Sequence, residues 1–204
     1  MRGSSPIGCL RPAGRAAGPA RGGPGRSARR QAECKTASAM TAHVQVRPAT
    51  LRDIPHVLPL WEALAAHHGA LDPALAVTRP ASREYAAFLR ETIDSADACV
   101  MVGVENDRIV SFALGRIHVL PLSFREQRRG WIQDVYTLPQ CRGRGIGREV
   151  VAALLRWFGG RRIALVELTV AVGNPDAVRF WERLGFTTYM HRMKWTAESG
   201  ACAT

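Results

Sequence analysis

The sequence lacks the features that would assign it to a metal, disulfide or membrane class. Its five cysteines have no C-x-x-C spacing, which argues against both a disulfide framework and a zinc site. The adjacent His67 and His68 have no carboxylate or thiol at ligand spacing, so we expect no metal. No apolar run approaches the roughly 20 residues that a membrane-spanning helix needs, and no membrane partner is expected.

Two common phosphate-binding signatures are also missing. Residues 140–147 carry three glycines at every second position, without the Gly-Lys-Ser/Thr of a Walker loop and without the G-x-G-x-x-G of a dinucleotide loop. An apolar run over 131–138 precedes them and a helical pattern follows. A glycine repeat alone also fits an ordinary flexible turn. The flanking strand and helix favour a cradle in which main-chain N–H groups close around an anion. Three arginines add full charges there: Arg142, Arg144 and Arg148.

The excess of positive charge is concentrated at the start of the chain. Residues 1–39 carry +7 of the net +11 and have few large apolar side chains, which predicts a disordered basic tail. This tail fits an organellar transit peptide, a nucleic-acid-binding arm, or a mis-assigned start with Met40 as the initiator. We expect a cytoplasmic protein, or an organellar one if the transit peptide is real. The mildly basic remainder suits a polyanionic small molecule, and nucleic acid is not expected as a partner.

Residues 42–196 are patterned as one globular α/β domain, followed by a C-terminal tail over 197–204. The apolar periodicities predict a mixed central sheet of six to seven strands, antiparallel early and parallel in the middle, with helices on both faces. The strands are expected near 43–47, 99–104, 109–119, 131–138, 163–170 and 186–195, and the helices near 54–64, 82–93, 146–158 and 175–184.

Three segments together resemble the GNAT superfamily of N-acetyltransferases. The stretch 135–139 resembles the central strand of that family. Gln140-x-x-Gly143-x-Gly145-Ile146-Gly147 resembles its pyrophosphate loop, and Asn174-x-x-Ala177-x-x-Phe180-Trp181 with Gly185-Phe186 resembles its N-x-x-A-x-x-F-Y-x-x-x-G-F helix. The similarity spans about 43 to 195 in matching element order. It implies the GNAT fold and a transferase that moves an acetyl group from acetyl-CoA to a primary amine of a small molecule or peptide.

The resemblance also implies which residues bind acetyl-CoA. The main chain of the central strand would bind the pantetheine arm, the glycine loop would hold the diphosphate, Asn174 would contact the cofactor near the arm, and Trp181 would pack along it. Asn174 also fits a plain helix cap, and both roles are compatible. The implied cofactor-binding residues are Val135, Tyr136, Thr137, Arg142, Gly143, Arg144, Gly145, Ile146, Gly147, Arg148, Asn174 and Trp181.

The catalytic residues are harder to assign because the chain departs from the family pattern twice. Gln133 stands where many relatives have glutamate, which leaves Asp134 as the candidate base, or as a strand-end hydrogen-bond acceptor. Trp181 stands where relatives have a tyrosine that protonates the leaving thiolate, so Tyr136 or water takes that role, or the thiolate leaves unassisted. A main-chain N–H of Val135 or Tyr136 would stabilise the oxyanion.

The acceptor site is expected in the variable parts of such folds. These are the segment with His67, His68 and Asp72 and the loop 120–130, whose arginines attract an acidic acceptor or simply solvate the loop. A homodimer is left open. Two alternatives to an active enzyme are a silent acyl-CoA-binding module and a nucleic-acid binder acting through the basic tail. The loop arginines are Arg125, Arg128 and Arg129.

Overall fold

The computed structural model describes residues 44–196, which form a five-stranded mixed sheet with helices on both faces. Strand order follows chain order from β1 to β5. The first four strands pair antiparallel, and the last two pair parallel. The α/β class and the mixed sheet predicted from the sequence are confirmed. The strands are β1 (Gln45–Pro48), β2 (Ala98–Glu105), β3 (Arg108–Val119), β4 (Arg128–Thr137) and β5 (Val166–Leu168).

Within the same residues, four α-helices and three short 3-10 turns connect the strands. The first two helices lie between β1 and β2, the third crosses from β4 to β5, and the fourth follows β5. The helices are α1 (Ile54–Leu71), α2 (Ser82–Asp94), α3 (Ile146–Gly160) and α4 (Pro175–Arg183), and the turns are Leu51–Asp53, Pro73–Leu75 and Pro139–Cys141.

The predicted count of six to seven strands is wrong for the described residues, which contain five. Residues 186–195 were expected as a final strand but have no regular secondary structure, and the side chains of Tyr189 and Trp195 are 62% and 87% exposed. The strand expected over 163–170 is reduced to the three residues of β5. An apolar, β-branched pattern describes fitness for a pleated surface and does not by itself establish that a strand pairs.

Two apolar cores lie on opposite faces of the sheet because successive strand residues alternate between faces. Val100 and Phe112 pack with α1 and α2, whereas Met101 and Ala113 pack with α3. The turn between β2 and β3 has positive φ at Asn106 and Asp107, as in the tight hairpins whose twist matches the strands. The sheet is therefore the middle one of three layers.

Phe158 of α3 occupies space that two strand glycines leave empty. A Cβ on Gly115 would lie 2.7 Å from the Phe158 ring, and one on Gly130 would lie 2.9 Å from it. The Phe158 side chain is completely buried and cannot move into solvent. Glycine at these two positions therefore allows α3 to pack closely on β3 and β4.

We expect Gly115→Ala to destabilise the fold by about 1–3 kcal/mol, because the added methyl overpacks the core against Phe158. Gly159→Ala is the matched control: it lies in α3 with no heavy atom within 4 Å of the new Cβ, and it should be neutral or stabilise by about 0.5–1 kcal/mol. Denaturant unfolding of both variants measures the difference. Equal stabilities would contradict this account of the packing.

Candidate active site at the splayed edge of the sheet

One extra residue in β4 determines which side chains face the site. Leu114 of β3 pairs with Asp134, but the next residue, Gly115, pairs with Ile132, so Gln133 is a β-bulge. Because side chains alternate between the two faces of the sheet, one inserted residue moves every later side chain of the strand to the opposite face. Ile132 packs with α3, whereas Asp134 faces α2 through a bond to Tyr85.

The same bulge marks the point where β4 and β5 separate. Their pairing extends only from Gly130 opposite Val166 to Ile132 opposite Leu168. Beyond Ile132, no strand of the described part of the chain pairs with the outer edge of β4. A cleft therefore opens between the two parallel strands at their carboxyl ends, bordered on one side by unpaired main-chain groups of β4.

Strand alternation identifies those main-chain groups. The Leu138 N–H donates to the Val110 carbonyl of β3 at 2.9 Å, and the Tyr136 carbonyl accepts from Ser111 Oγ at 3.0 Å, so even-numbered residues face β3 here. Val135 and Thr137 face the cleft instead. Of the three residues predicted to bind the pantetheine arm through their main chain, two therefore face the cleft. Of the two N–H groups predicted to stabilise the oxyanion, only that of Val135 faces the cleft.

The glycine loop after β4 adopts a backbone that side chains disfavour. Gly143 and Gly145 have φ of +74° and +84°, and a Cβ on either would meet no atom within 4 Å. The space above them is therefore open. Gly147 has a different role, because its Cβ would lie 3.1 Å from Thr137 Oγ1. The third glycine allows the helix to start close against β4.

The N-terminus of α3 is left without a capping side chain. Its N-cap residue is Gly145, and the first intrahelical bond runs from the Glu149 N–H to the Gly145 carbonyl at 3.0 Å. The preceding N–H groups of Ile146, Gly147 and Arg148 have no acceptor within the helix and point toward the loop. Main-chain donors and the positive end of the helix dipole make this the favoured position for a phosphate.

The three arginines predicted around the loop have different environments. Arg142 Nε donates to the Thr137 carbonyl at 3.0 Å, and its guanidinium lies 5.3 Å from the Tyr136 ring centroid. Arg144 forms a bidentate ion pair with Glu105 of β2, with Nη1 3.0 Å from Oε2. Arg148 is exposed on the first turn of α3. Because Glu105 neutralises Arg144, the main-chain amides and the other two arginines supply the cradle's attraction for an anion.

Asp134 lies at the bulge and is partly buried. The Tyr85 hydroxyl donates to Asp134 Oδ2 at 2.9 Å, and the Tyr85 ring stacks on Trp61 with centroids 4.1 Å apart. Burial raises the pKa of the Asp134 carboxyl, and the hydrogen bonds from Tyr85 and Gln133 partly oppose that rise. A carboxyl with a raised pKa accepts a proton more readily than a solvated one, which suits a general base.

The far wall of the cleft comes from α4 and the end of α1. Asn174 caps α4, with its Oδ1 accepting from the Ala177 N–H at 3.1 Å, and its Nδ2 lies 3.2 Å from His67 Nε2. The helix cap predicted for Asn174 is confirmed. Trp181 packs edge-on against Phe180 and Phe186, with ring centroids 5.0 and 5.2 Å away.

The predicted acceptor residues are only partly brought together. His67 contacts α4 as described, His68 is half-buried with its pKa lowered by burial, and Asp72 pairs with Lys194. Arg128 pairs with Asp97 at 3.0 Å. Arg125 is exposed in the loop before β4.

A cavity of about 160 Å³ lies at the starts of β4 and β5. Arg129 and Glu167 both line it and form an ion pair with 3.4 Å between Nη1 and Oε1, and the stacked rings of Trp131 and His118 line it as well. The glycine loop follows the carboxyl end of the same β4 strand. The cavity and the anion cradle are therefore at opposite ends of the β4–β5 pair, with Asp134 between them.

Residues 44–196 contain no arrangement typical of a metal centre or a membrane span. In this range no three His, Cys, Asp or Glu side chains are grouped so that they could hold a metal ion. No helix among these residues is long and apolar enough to cross a membrane. The tails expected over 1–39 and 197–204 lie outside the described residues.

Comparison with known sequences identifies the family. A family model for the acetyltransferase (GNAT) family matches residues 61–186, which is more than half of the chain, and the chain therefore belongs to this family. Mycothiol acetyltransferase of Streptomyces bingchenggensis is 32% identical over 91 residues, covering 45% of this chain and 28% of that protein. An uncharacterized N-acetyltransferase of Methanocaldococcus jannaschii is 38% identical over 55 residues, covering 27% of this chain and 24% of that protein. The matched segments thus span about a quarter of these relatives' length.

Solved structures share the fold at low sequence identity. Aminoglycoside N-acetyltransferase AAC(6')-Iy in complex with CoA aligns with a TM-score of 0.63 and 16% identity over 76% of this chain and 95% of that one. A predicted acetyltransferase of Clostridium acetobutylicum with acetyl-CoA aligns with a TM-score of 0.63 and 18% identity over 76% of this chain and 96% of that one. A single-substitution mutant of the BH1408 protein of Bacillus halodurans aligns with a TM-score of 0.69 and 20% identity over 75% of this chain and 99% of that one. These similarities confirm the GNAT fold.

Sequence reasoning missed three side chains that shape the site. The Tyr85 hydroxyl bonds to Asp134, 49 residues away. Glu105 pairs with Arg144, 39 residues away. Glu167 was not singled out, yet it lines the cavity. No local spacing connects such distant residues, and only the sheet's register reveals them.

Proposed function

We propose that this protein transfers the acetyl group of acetyl-CoA to a primary amine of a small molecule or peptide. One observation carries the proposal: an uncapped helix N-terminus and an open glycine loop continue directly from a strand edge with free main-chain groups. A diphosphate and an amide-containing arm match these two features in order. Membership of the GNAT family and the CoA-bound neighbours support this ligand.

The residues fit acetyl-CoA as follows. The N–H groups of 146–148 and the exposed Arg148 hold the diphosphate, and the open space at Gly143 and Gly145 accommodates its oxygens. The main chain of Val135 and the Thr137 N–H would bind the pantetheine arm in the cleft, since the Thr137 carbonyl already accepts from Arg142. Trp181 and Asn174 border the arm from α4. When bound, acetyl-CoA supplies the activated acyl group as a thioester.

The chain's own groups then act on the amine. Asp134 accepts a proton from the incoming ammonium, directly or through water, so that the nitrogen lone pair is free to attack. The Val135 N–H stabilises negative charge that develops on the acyl oxygen. Holding both reactants in one cleft contributes up to about 7–11 kcal/mol in well-oriented systems. As the C–N bond forms and the C–S bond of the thioester breaks, the nitrogen would lose its remaining extra proton and the departing thiolate would take one up, with Tyr136 or water as the proposed donor.

The acceptor is proposed to approach from the end of the strands opposite the cradle. The cavity there is lined by the Trp131 ring, which suits an amine that carries further cationic groups. Glu167 also lines it, and its carboxylate would have to exchange its ion pair with Arg129 for such an amine. Mycothiol acetyltransferase and an aminoglycoside acetyltransferase are among the similar proteins, so small-molecule amines of these two kinds are the first candidates.

The experiment is thiol release from acetyl-CoA measured across a panel of aminoglycosides, amino sugars, polyamines, amino acids and peptide N-termini. We expect saturable release with at least one small-molecule amine. CoA binding followed calorimetrically in parallel separates the outcomes. Saturable binding without turnover on any amine favours the silent acyl-CoA-binding module suggested by Gln133 and Trp181, and absence of binding rejects both functions.

A further inference from the structure

Tyr85 makes a contact that neither the apolar core nor the cofactor site requires. Its side chain is buried, with 8% of the residue exposed, at the start of α2. Its hydroxyl crosses to β4 and donates to the Asp134 carboxylate at 2.9 Å. A phenylalanine would fill the same apolar space, so the hydroxyl serves the bond to Asp134 rather than packing.

The ring of Tyr85 is itself held in place. Trp61 of α1 stacks on one face with an interplanar angle of 11°, and Phe88 packs at 5.6 Å one turn along α2. Two helices therefore fix the hydroxyl at one position. Burial raises the pKa of this phenol far above its ordinary range, and the neighbouring Asp134 charge adds to the rise. Tyr85 consequently stays protonated and remains a hydrogen-bond donor.

The groups that face Asp134 are few. Tyr85 approaches from α2 and the Gln133 amide from the same strand, while the residue opposite on β3 is the apolar Leu114. α1 contributes the Trp61 ring behind Tyr85. Among the residues that the structure describes, no cation pairs with Asp134. Neutral donors alone hold this carboxylate, so their geometry determines where its free oxygen points.

We propose that Tyr85 is a positioning residue that orients the Asp134 carboxylate toward the acceptor amine. The inference rests on the proposed function, since it assumes that Asp134 is the base. A strand bulge leaves its residues with less ladder support than a regular strand. The Tyr85 bond compensates by tying the bulged side chain to the helical layer. The Tyr85 bond engages Oδ2, which leaves Oδ1 as the oxygen that would receive the proton.

The direction of the pH effect follows from the hydrogen bond. A donated hydrogen bond stabilises the charged carboxylate and therefore lowers the pKa of Asp134, opposing the effect of burial. Removing the hydroxyl removes this stabilisation, so the pKa rises further. Because the base must be ionised to work, activity should then be lost at a higher pH as the solution is acidified.

The test uses Tyr85→Phe, with Tyr189→Phe as the matched control, since Tyr189 is 62% exposed and loses the same hydroxyl. We expect Tyr85→Phe to lower kcat on the order of tenfold. The acidic limb of its pH profile should move to higher pH, and the KM for acetyl-CoA should stay unchanged. The control should show neither change. An unmoved acidic limb in Tyr85→Phe would overturn the proposal.

A second measurement separates this proposal from the proposed function. Carboxyl-labelled NMR titration of Asp134, assigned with Asp134→Asn, reports the ionisation of the group without any turnover. A higher titration midpoint in Tyr85→Phe than in the unsubstituted protein supports the bond in solution, and identical midpoints refute it. Failure of acetyl transfer with every amine would reject the catalytic function. The comparison of the two Asp134 titration midpoints would still test the hydrogen bond, because it requires no turnover.

Discussion

Gly145→Val is expected to abolish measurable acetyl-CoA binding while the fold is retained. Gly145 has φ of +84°, a region that β-branched residues avoid at a cost of about 1–3 kcal/mol. The new side chain would also enter the open space over the α3 N-terminus, where the diphosphate is proposed to bind. Losing two charge-assisted hydrogen bonds weakens binding by at least about 100-fold. Calorimetric titration with CoA measures the loss.

The control for this prediction lies at the other end of the same helix. Gly160→Val introduces the same side chain where no atom lies within 4 Å and φ is not positive, and we expect CoA affinity to be preserved. Circular dichroism of both variants establishes that the fold persists. Normal binding by Gly145→Val would show that the loop is not the cradle for the diphosphate.

Asp134→Asn is expected to lower kcat by about 10²- to 10⁴-fold, because asparagine cannot accept the amine's proton. The CoA dissociation constant should change little, since the side chain of Asp134 faces α2 and the cofactor's contacts come from the main chain and the loop. Turnover on the best amine of the panel, together with CoA titration, separates the two effects. Asp176→Asn, at a side chain 89% exposed, is the control and should be fully active.

The pH dependence of the unsubstituted enzyme gives a second check on Asp134. Burial raises its pKa, so the carboxylate is protonated at a higher pH than a solvated aspartate. Activity should therefore be present above that raised pKa and fall as the pH drops through it. Full activity of Asp134→Asn, or a profile flat on the acidic side, would remove the carboxylate from the mechanism.

Local features of this protein were predictable because they depend on a few adjacent residues. The glycines of 143–147 predicted a strand-to-helix turn, and the structure has positive φ at Gly143 and Gly145. Asn174 followed by Pro175 predicted a helix start, and its side chain caps α4. The prediction of a final strand was wrong, because the pattern of 186–195 describes fitness for a pleated surface and does not specify a strand to pair with.

The predicted cofactor residues differ in how far the structure supports their geometry. Val135 and Thr137 face the cleft, whereas the Tyr136 main chain faces β3 and Arg144 is engaged with Glu105. The roles of all the predicted site residues stay predictions until CoA binding is measured. The homodimer and the roles suggested for the basic tail also stay predictions, the latter concerning residues outside the described range.

Sequence by itself determined the family, the order of the elements that form and the glycine turn before α3, because backbone preferences of glycine, helix capping and apolar periodicity are properties of neighbouring residues. Tertiary structure alone decided which side chains share the site. The single inserted residue at Gln133 reverses the faces of β4, and that reversal brings Asp134 to Tyr85. Strand register and bulges depend on the whole sheet's packing, so no local pattern in the chain encodes them.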